Sequence, residues 1–174
     1  HPASDYDDMM FSTGVWPTGS MNDFYLENSQ GQFGVDGAAS GWHTSATPYS
    51  NITPTDYNQV RDMFAAIIAE FDPVIDYSLY DSDGPDGIPN SGDDDGYIDA
   101  LFFVHAGPGR ESTGDDNDIW SHAWAFASGG VPTNDGVTAY RYSVEPEAFS
   151  DGTLMTIGVF AHEYGHVLGL PDLY

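Results

Sequence analysis

Apolar positions recur along this chain with two different periods. In TPTDYNQVRDMFAAIIAEF, residues 53–71, Tyr57, Val60, Phe64, Ile67, Ile68 and Phe71 fall at i, i+3, i+4 spacing. With Thr53 or Thr55 as cap and Pro54 near the start, that spacing predicts an amphipathic helix. GSMNDFYLENSQG predicts a shorter one, with Ser20 as N-cap, Asp23 three residues on and Gly31 as the stop. The glycine-rich QFGVDGAASGWHT sets Phe33, Val35 and Trp42 in what reads as a bent strand or hairpin. The continuous apolar run from Ala100 to Val104 fits a strand buried on both faces. A second strand is expected in VTAYRYSVEP, where Val137, Ala139, Tyr140 and Tyr142 lead to a stop at Pro146. The last element, TLMTIGVFAHEYGHVLGL, reads as a helix that is apolar nearly all round and therefore interior. The sum is a mixed α/β (α+β) unit.

Polar groups inside an interior helix need a reason. His162 and His166 are four residues apart, so they lie about 40° apart on one helix face and one turn above each other, close enough to share a metal ion. Glu163 is turned about 100° from His162, to the flank of such an ion, where it reaches a bound water but does not easily ligate. Gly169 and Pro171 end the helix, and the reversed chain can return Asp172 as a third ligand, leaving a fourth position for water as in catalytic zinc. Gly165, in mid-helix, costs about 1 kcal/mol relative to alanine, which predicts a close neighbour there. The bland alternative is a buried histidine pair satisfied by backbone carbonyls. Against it, the pattern extends to HExxHxxGxPD and is followed by a helix-breaking turn in the right place.

Charge and composition narrow the partners. The 174 residues carry 28 acidic side chains against 3 basic ones, a formal charge of −25, and lysine is absent. A chain of that sign repels phosphate backbones and anionic lipid surfaces, which argues against nucleic acid and membrane partners. Cysteine is absent too, so neither disulfides nor a thiol nucleophile is available.

The same charge brings a second metal candidate into view. In DSDGPDGIPNSGDDDGYID, Asp81, Asp83 and Asp86, then Asp93, Asp95 and Asp99, alternate with glycines as calcium-binding loops do. Pro85 breaks the first repeat, and no bidentate glutamate sits at a twelfth position, so this is no EF-hand. The competing reading is a solvated acidic loop; without counter-ions its carboxylates repel one another at short range. Calcium there would pin the loop and the strand after it. His105 and His122 read as hydrogen-bonded structural histidines, and Ser121 lacks a nucleophile-elbow context.

HEYGHVLGLPDLY resembles the zinc signature of the M6 family of secreted metallopeptidases, the immune-inhibitor-A type. GSMNDFYLENSQGQFGVDGAASGW, DALFFVHAGPGRE and DIWSHAW agree with it, in family order, from about Phe11 onward. The resemblance implies a metzincin-like zincin catalytic domain over residues 1–174, a twisted mixed sheet with a backing helix and an active-site helix. It also implies a secreted precursor that cleaves peptide bonds in proteins. Such domains carry a further subdomain after the zinc motif, which this chain is expected to lack, so a C-terminal fragment of the same precursor joins protein or peptide substrates as an expected partner. At Asp172 many metzincins place a histidine; an aspartate leaves the bound water less acidic than in a three-histidine site. The rival reading is a non-catalytic, calcium-stabilised structural or assembly module on a peptidase-like fold.

Overall fold

The computed structural model describes residues 1–172; Leu173 and Tyr174, the last two letters of the motif string, lie outside the described residues. A three-stranded mixed sheet divides the molecule into layers. Its central strand is β5 (Arg141–Ala148), flanked in parallel by β1 (Phe102–Pro108) and antiparallel by the edge strand β2 (His122–Ala125). A separate ribbon joins β3 (Val131–Pro132) to β4 (Thr138–Ala139).

Alternation along the strands sends side chains to two cores. Phe103, Tyr142 and Val144 meet Val60, Met63, Phe64 and Ile68 of helix α3 (Tyr57–Phe71), the backing helix that periodicity predicts. Its cap is Asp56, whose carboxylate accepts the Asn58 and Gln59 N–H groups, in place of the expected Thr53 or Thr55. Phe102 and Val104 face the other way, onto helices α1 (Ala3–Phe11), α2 (Met21–Asn28) and α5 (Ile157–Val167). The apolar run at 100–104 is thus covered on both faces, but β1 lies at an edge of the sheet and the run stays half-buried rather than fully buried as expected. In α2, Ser20 and Asp23 form the reciprocal capping box that their spacing predicts. A four-residue helix, α4 (Arg110–Thr113), follows β1. No described helix is long and apolar enough to cross a membrane.

Several expectations need correction: the strand expected across 137–146 is divided at Tyr140 between β4 and β5, in different sheets, and the helix expected to be interior buries one face only, with His162 exposed. Residues 32–44 form neither strand nor hairpin; their backbone groups go instead to side chains, Val35 N–H to Asn22 and Ala39 N–H to Asp7. Pro146 does not end its strand but sits inside β5, paired with His105. Ser143 turns its N–H toward β1, donating to Leu101, so the even-numbered residues turn theirs toward β2. The donor that Pro146 lacks would point past the end of β2, whose pairing stops at Val144, and no ladder bond is lost there. The α5 helix starts only at Ile157, because Leu154 bridges back to Ala148 as extended chain.

Candidate metal centre

Helix α5 sets the first two donors, and its terminus sets the third. Gly169 has φ of 88°, and the Leu170 N–H reaches back to the Gly165 carbonyl while the Gly169 N–H reaches His166, the paired bonds of a Schellman stop. That left-handed turn folds the chain back over the last helical turn. The Leu170 carbonyl then accepts a hydrogen bond from His166 Nδ1 at 2.9 Å. A carbonyl can only accept, so the proton is on Nδ1 and the lone pair of Nε2 points away from it.

Three donors meet there. His162 Nε2 and His166 Nε2 are 3.2 Å apart, and Asp172 Oδ1 is 3.4 Å from the first and 3.2 Å from the second. Donors at 2.0–2.1 Å from a tetrahedral ion stand about 3.3 Å from one another, so the trio fits zinc. Glu163 Oε1 lies 4.0 Å from His162 Nε2, beside the trio. The Glu163 carboxyl is buried, which pushes its pKa up; the two imidazoles and the Ala123 backbone N–H pull the other way. These residues line a cavity of about 330 Å³ with Tyr57, Trp120, Ser121, His122, Ala123 and Trp124. Tyr25 of α2 fixes the helix by donating its hydroxyl to the Ala161 carbonyl at 2.8 Å. The close neighbour expected at Gly165 is not there: a Cβ would meet Leu170 and the Tyr25 hydroxyl only at 3.7 and 3.9 Å.

Behind Glu163 lies a carboxyl that the motif does not announce. Glu145 of β5 is fully buried, and neither of its oxygens, nor the neighbouring Ser143 Oγ, has a partner at hydrogen-bonding geometry among the described residues. Burial first, then Glu163 and Glu111, raise its pKa well above the usual range, while Ser143 lowers it. His105 and His122 each donate Nδ1–H to a backbone carbonyl, of Ala106 and Trp120. Ser121 donates to Glu111 at 2.5 Å.

The acidic loop concentrates three of its six candidates. Carboxylate oxygens of Asp81, Asp83 and Asp95 lie within 4.8 Å of one another. Asp81 is 1 % exposed; its Oδ2 accepts the Gly96 N–H at 3.1 Å, while its buried Oδ1 has no partner among the described residues. Burial and then Asp94, Asp95, Asp83 and Asp99 raise its pKa. Asp86 and Asp93 accept loop N–H groups, from Ile88 and Asp86, and Asp99 accepts from Ser82. Asp94, which the spacing did not single out, holds the turn by accepting Gly84 and Ser91 N–H groups. A side chain at Gly84 would meet the Asp94 and Asp93 carboxylates at 2.6 to 2.8 Å, so those side chains would have to move to admit it.

Comparison with known proteins relates the chain by sequence. The family model described as the immune inhibitor A peptidase M6 catalytic domain matches residues 1–174. Immune inhibitor A of Bacillus thuringiensis subsp. alesti is 36 % identical over 176 residues, covering 87 % of this chain and 25 % of that protein. The pre-pro-metalloprotease PrtV of Vibrio cholerae serotype O1 (strain M66-2) is 32 % identical over 200 residues, covering 98 % of this chain and 21 % of that protein. The chain thus spans a quarter or less of the length of these curated relatives.

Proposed function

Because the chain belongs to the immune inhibitor A (M6) peptidase family, we propose that it is the catalytic domain of a secreted zinc endopeptidase acting on proteins or peptides. The observation that carries this reading is the convergence of His162 Nε2, His166 Nε2 and Asp172 Oδ1, with the Glu163 carboxyl beside them. Those three donors hold the ion. A zinc ion held by them would supply Lewis acidity toward the scissile carbonyl and the attacking water.

The chain's own residues do the rest. Glu163 takes the proton of the attacking water on a carboxylate oxygen and later gives it to the leaving amine. Burial favours the protonated form that this carboxylate must pass through. β2 is the edge strand of the sheet that lies beside the metal donors, and it holds the substrate extended. Its phase follows from the Phe126 N–H donating to the Tyr140 carbonyl: Ala123 and Ala125 are the residues whose N–H and C=O face away from β5.

Calcium on Asp81, Asp83 and Asp95 completes the reading as a structural ion. The orphaned, buried Oδ1 of Asp81 is the supporting observation. The loop leads straight into the core: Tyr97 bridges Thr138 of β4, and Ile98 is buried against α3. Extracellular calcium, at the millimolar level that loops of this kind require, suits an exported enzyme. The relative from Vibrio cholerae is itself described as a pre-pro form.

The deciding experiment measures bound zinc and cleavage of a denatured protein for wild type and Glu163→Ala. Zinc is expected in both proteins and cleavage only in wild type. Zinc-free, inactive wild type that still responds to calcium would return the assignment to a non-catalytic module.

A further inference from the structure

The cleft presents aromatic surface that the hydrolytic chemistry does not use. Trp124, Trp120 and Tyr57 line the same cavity as the metal donors, yet stay 53 %, 45 % and 39 % exposed. Single exposed aromatics are ordinary on a protein surface; three at the mouth of one cleft are the make-up of a ligand subsite.

The wall is also held in place. Tyr57, the first residue of α3, stacks on Trp124 with ring centroids 6.2 Å apart and planes 11° from parallel. It meets His122 edge-on at 4.9 Å, and His122 is fixed by its bond to the Trp120 carbonyl. Trp120 carries the Arg110 guanidinium 5.3 Å from its ring centre, and Arg110 is paired with Asp116. Little ordering is left for a ligand to impose.

Register says which ligand atoms arrive there. Along β2, His122 and Trp124 turn toward the α3 side of the sheet, and Ala123 and Ala125 turn toward α5. A peptide added along the edge at Ala123 and Ala125 therefore sends the side chain opposite Trp124 onto the Tyr57–Trp124 pair. We propose that these rings form a substrate subsite selecting an aromatic or other large apolar side chain at one fixed position of the extended peptide. The inference rests on the edge-strand reading above.

The test separates the two. In one arm, zinc-loaded Glu163→Ala protein, which cannot turn over, binds fluorescent peptides that differ only by Phe or Ala at each position in turn. Phe is expected to bind about tenfold tighter at one position. That ratio should fall below about twofold when Trp124→Ala or Tyr57→Ala is added. In the second arm, protein with Glu163 intact cleaves the same peptides, and the Phe position should keep a constant offset from the cut. Equal affinity for Phe and Ala at every position, absence of binding included, overturns the subsite. So does a preference for Lys or Arg there, or a Phe preference that both variants retain. Phe discrimination in the first arm without cleavage in the second leaves the subsite standing and removes the peptidase.

Discussion

The two acidic centres of this molecule are built in opposite ways. At the end of α5, helix geometry and a hydrogen-bonded stop fix the donors before any ion is considered: His166 is anchored through Nδ1, and the Gly169 turn returns Asp172. In the loop from Asp81 to Asp99, turns, bonds from backbone N–H groups and the hydroxyls of Ser82 and Ser91 hold like charges together, and the buried Asp81 oxygen is left without a partner among the described residues. Two imidazoles and one carboxylate leave a metal site with little self-repulsion; a cluster of carboxylates does not. The first centre is therefore expected to keep its shape without metal, losing its chemistry and the stability that binding itself adds. The second is expected to lose stability.

The sharpest way to break that contrast is to remove a zinc donor. His166→Ala should cost at least the thousandfold or so in cleavage expected for losing the base alone. Compared with zinc-free wild type in calcium, the melting temperature should change by less than about 5 °C, since His166 is outside both cores and the contribution of bound zinc is absent from both proteins. A collapse of the fold would show the helix end to depend on its metal after all. Asp172→Ala, measured by competition with a zinc-binding dye, should weaken zinc by about a hundredfold with the helical circular dichroism unchanged. Undiminished zinc affinity would mean that another acid is the third ligand.

Calcium withdrawal comes next in size. With zinc resupplied, a calcium-selective chelator should lower the melting temperature by about 5–10 °C, the value of a site held at about a hundred times its Kd. In Asp81→Ala the chelator should have no further effect. An unchanged melting curve in wild type would reduce the loop to a solvated surface.

Smallest is the effect of the carboxyl behind the site. The folded-state pKa of Glu145 is raised by burial, then by Glu163 and Glu111, above the ordinary 4.5. Its contribution to stability is therefore complete below pH 4.5 and is lost as pH rises through the folded value. Glu145→Gln keeps the shape and removes that titration. The variant should melt at least about 3 °C above wild type at pH 8, with the gap closing toward pH 4.5. A wild type that is the more stable at pH 8 would show the carboxylate to be paired and ionised.

How much of this was legible in the sequence depended on how local the cause was. The Ser20–Asp23 capping box, the stripe on α3 and the HExxH spacing are set within one or two turns, and each appears where its residues place it. Pro146 misled because its fitness for a strand depends on where a neighbouring strand ends, which no local pattern states. The stretch from 32 to 44 carries β-formers but no partner strand, and side chains from α1 and α2 take its backbone bonds instead. α1 carries no legible stripe among its polar residues, since Tyr6, Met9 and Met10 find their face only in the cluster that α2 and α5 complete. The edge strand had left a signal: DIWSHAW alternates Trp120, His122 and Trp124 with small residues at 121 and 123. Glu145 gave none, because its burial comes from layers packed on both sides of the sheet.

The central claim is that the helix and the turn after it aim three donors at one cation. A zinc-edge anomalous diffraction map of the zinc-loaded protein tests it directly. The account predicts one peak about 2.0–2.2 Å from His162 Nε2, His166 Nε2 and Asp172 Oδ1. Imidazoles turned apart, with no peak between them, would contradict it.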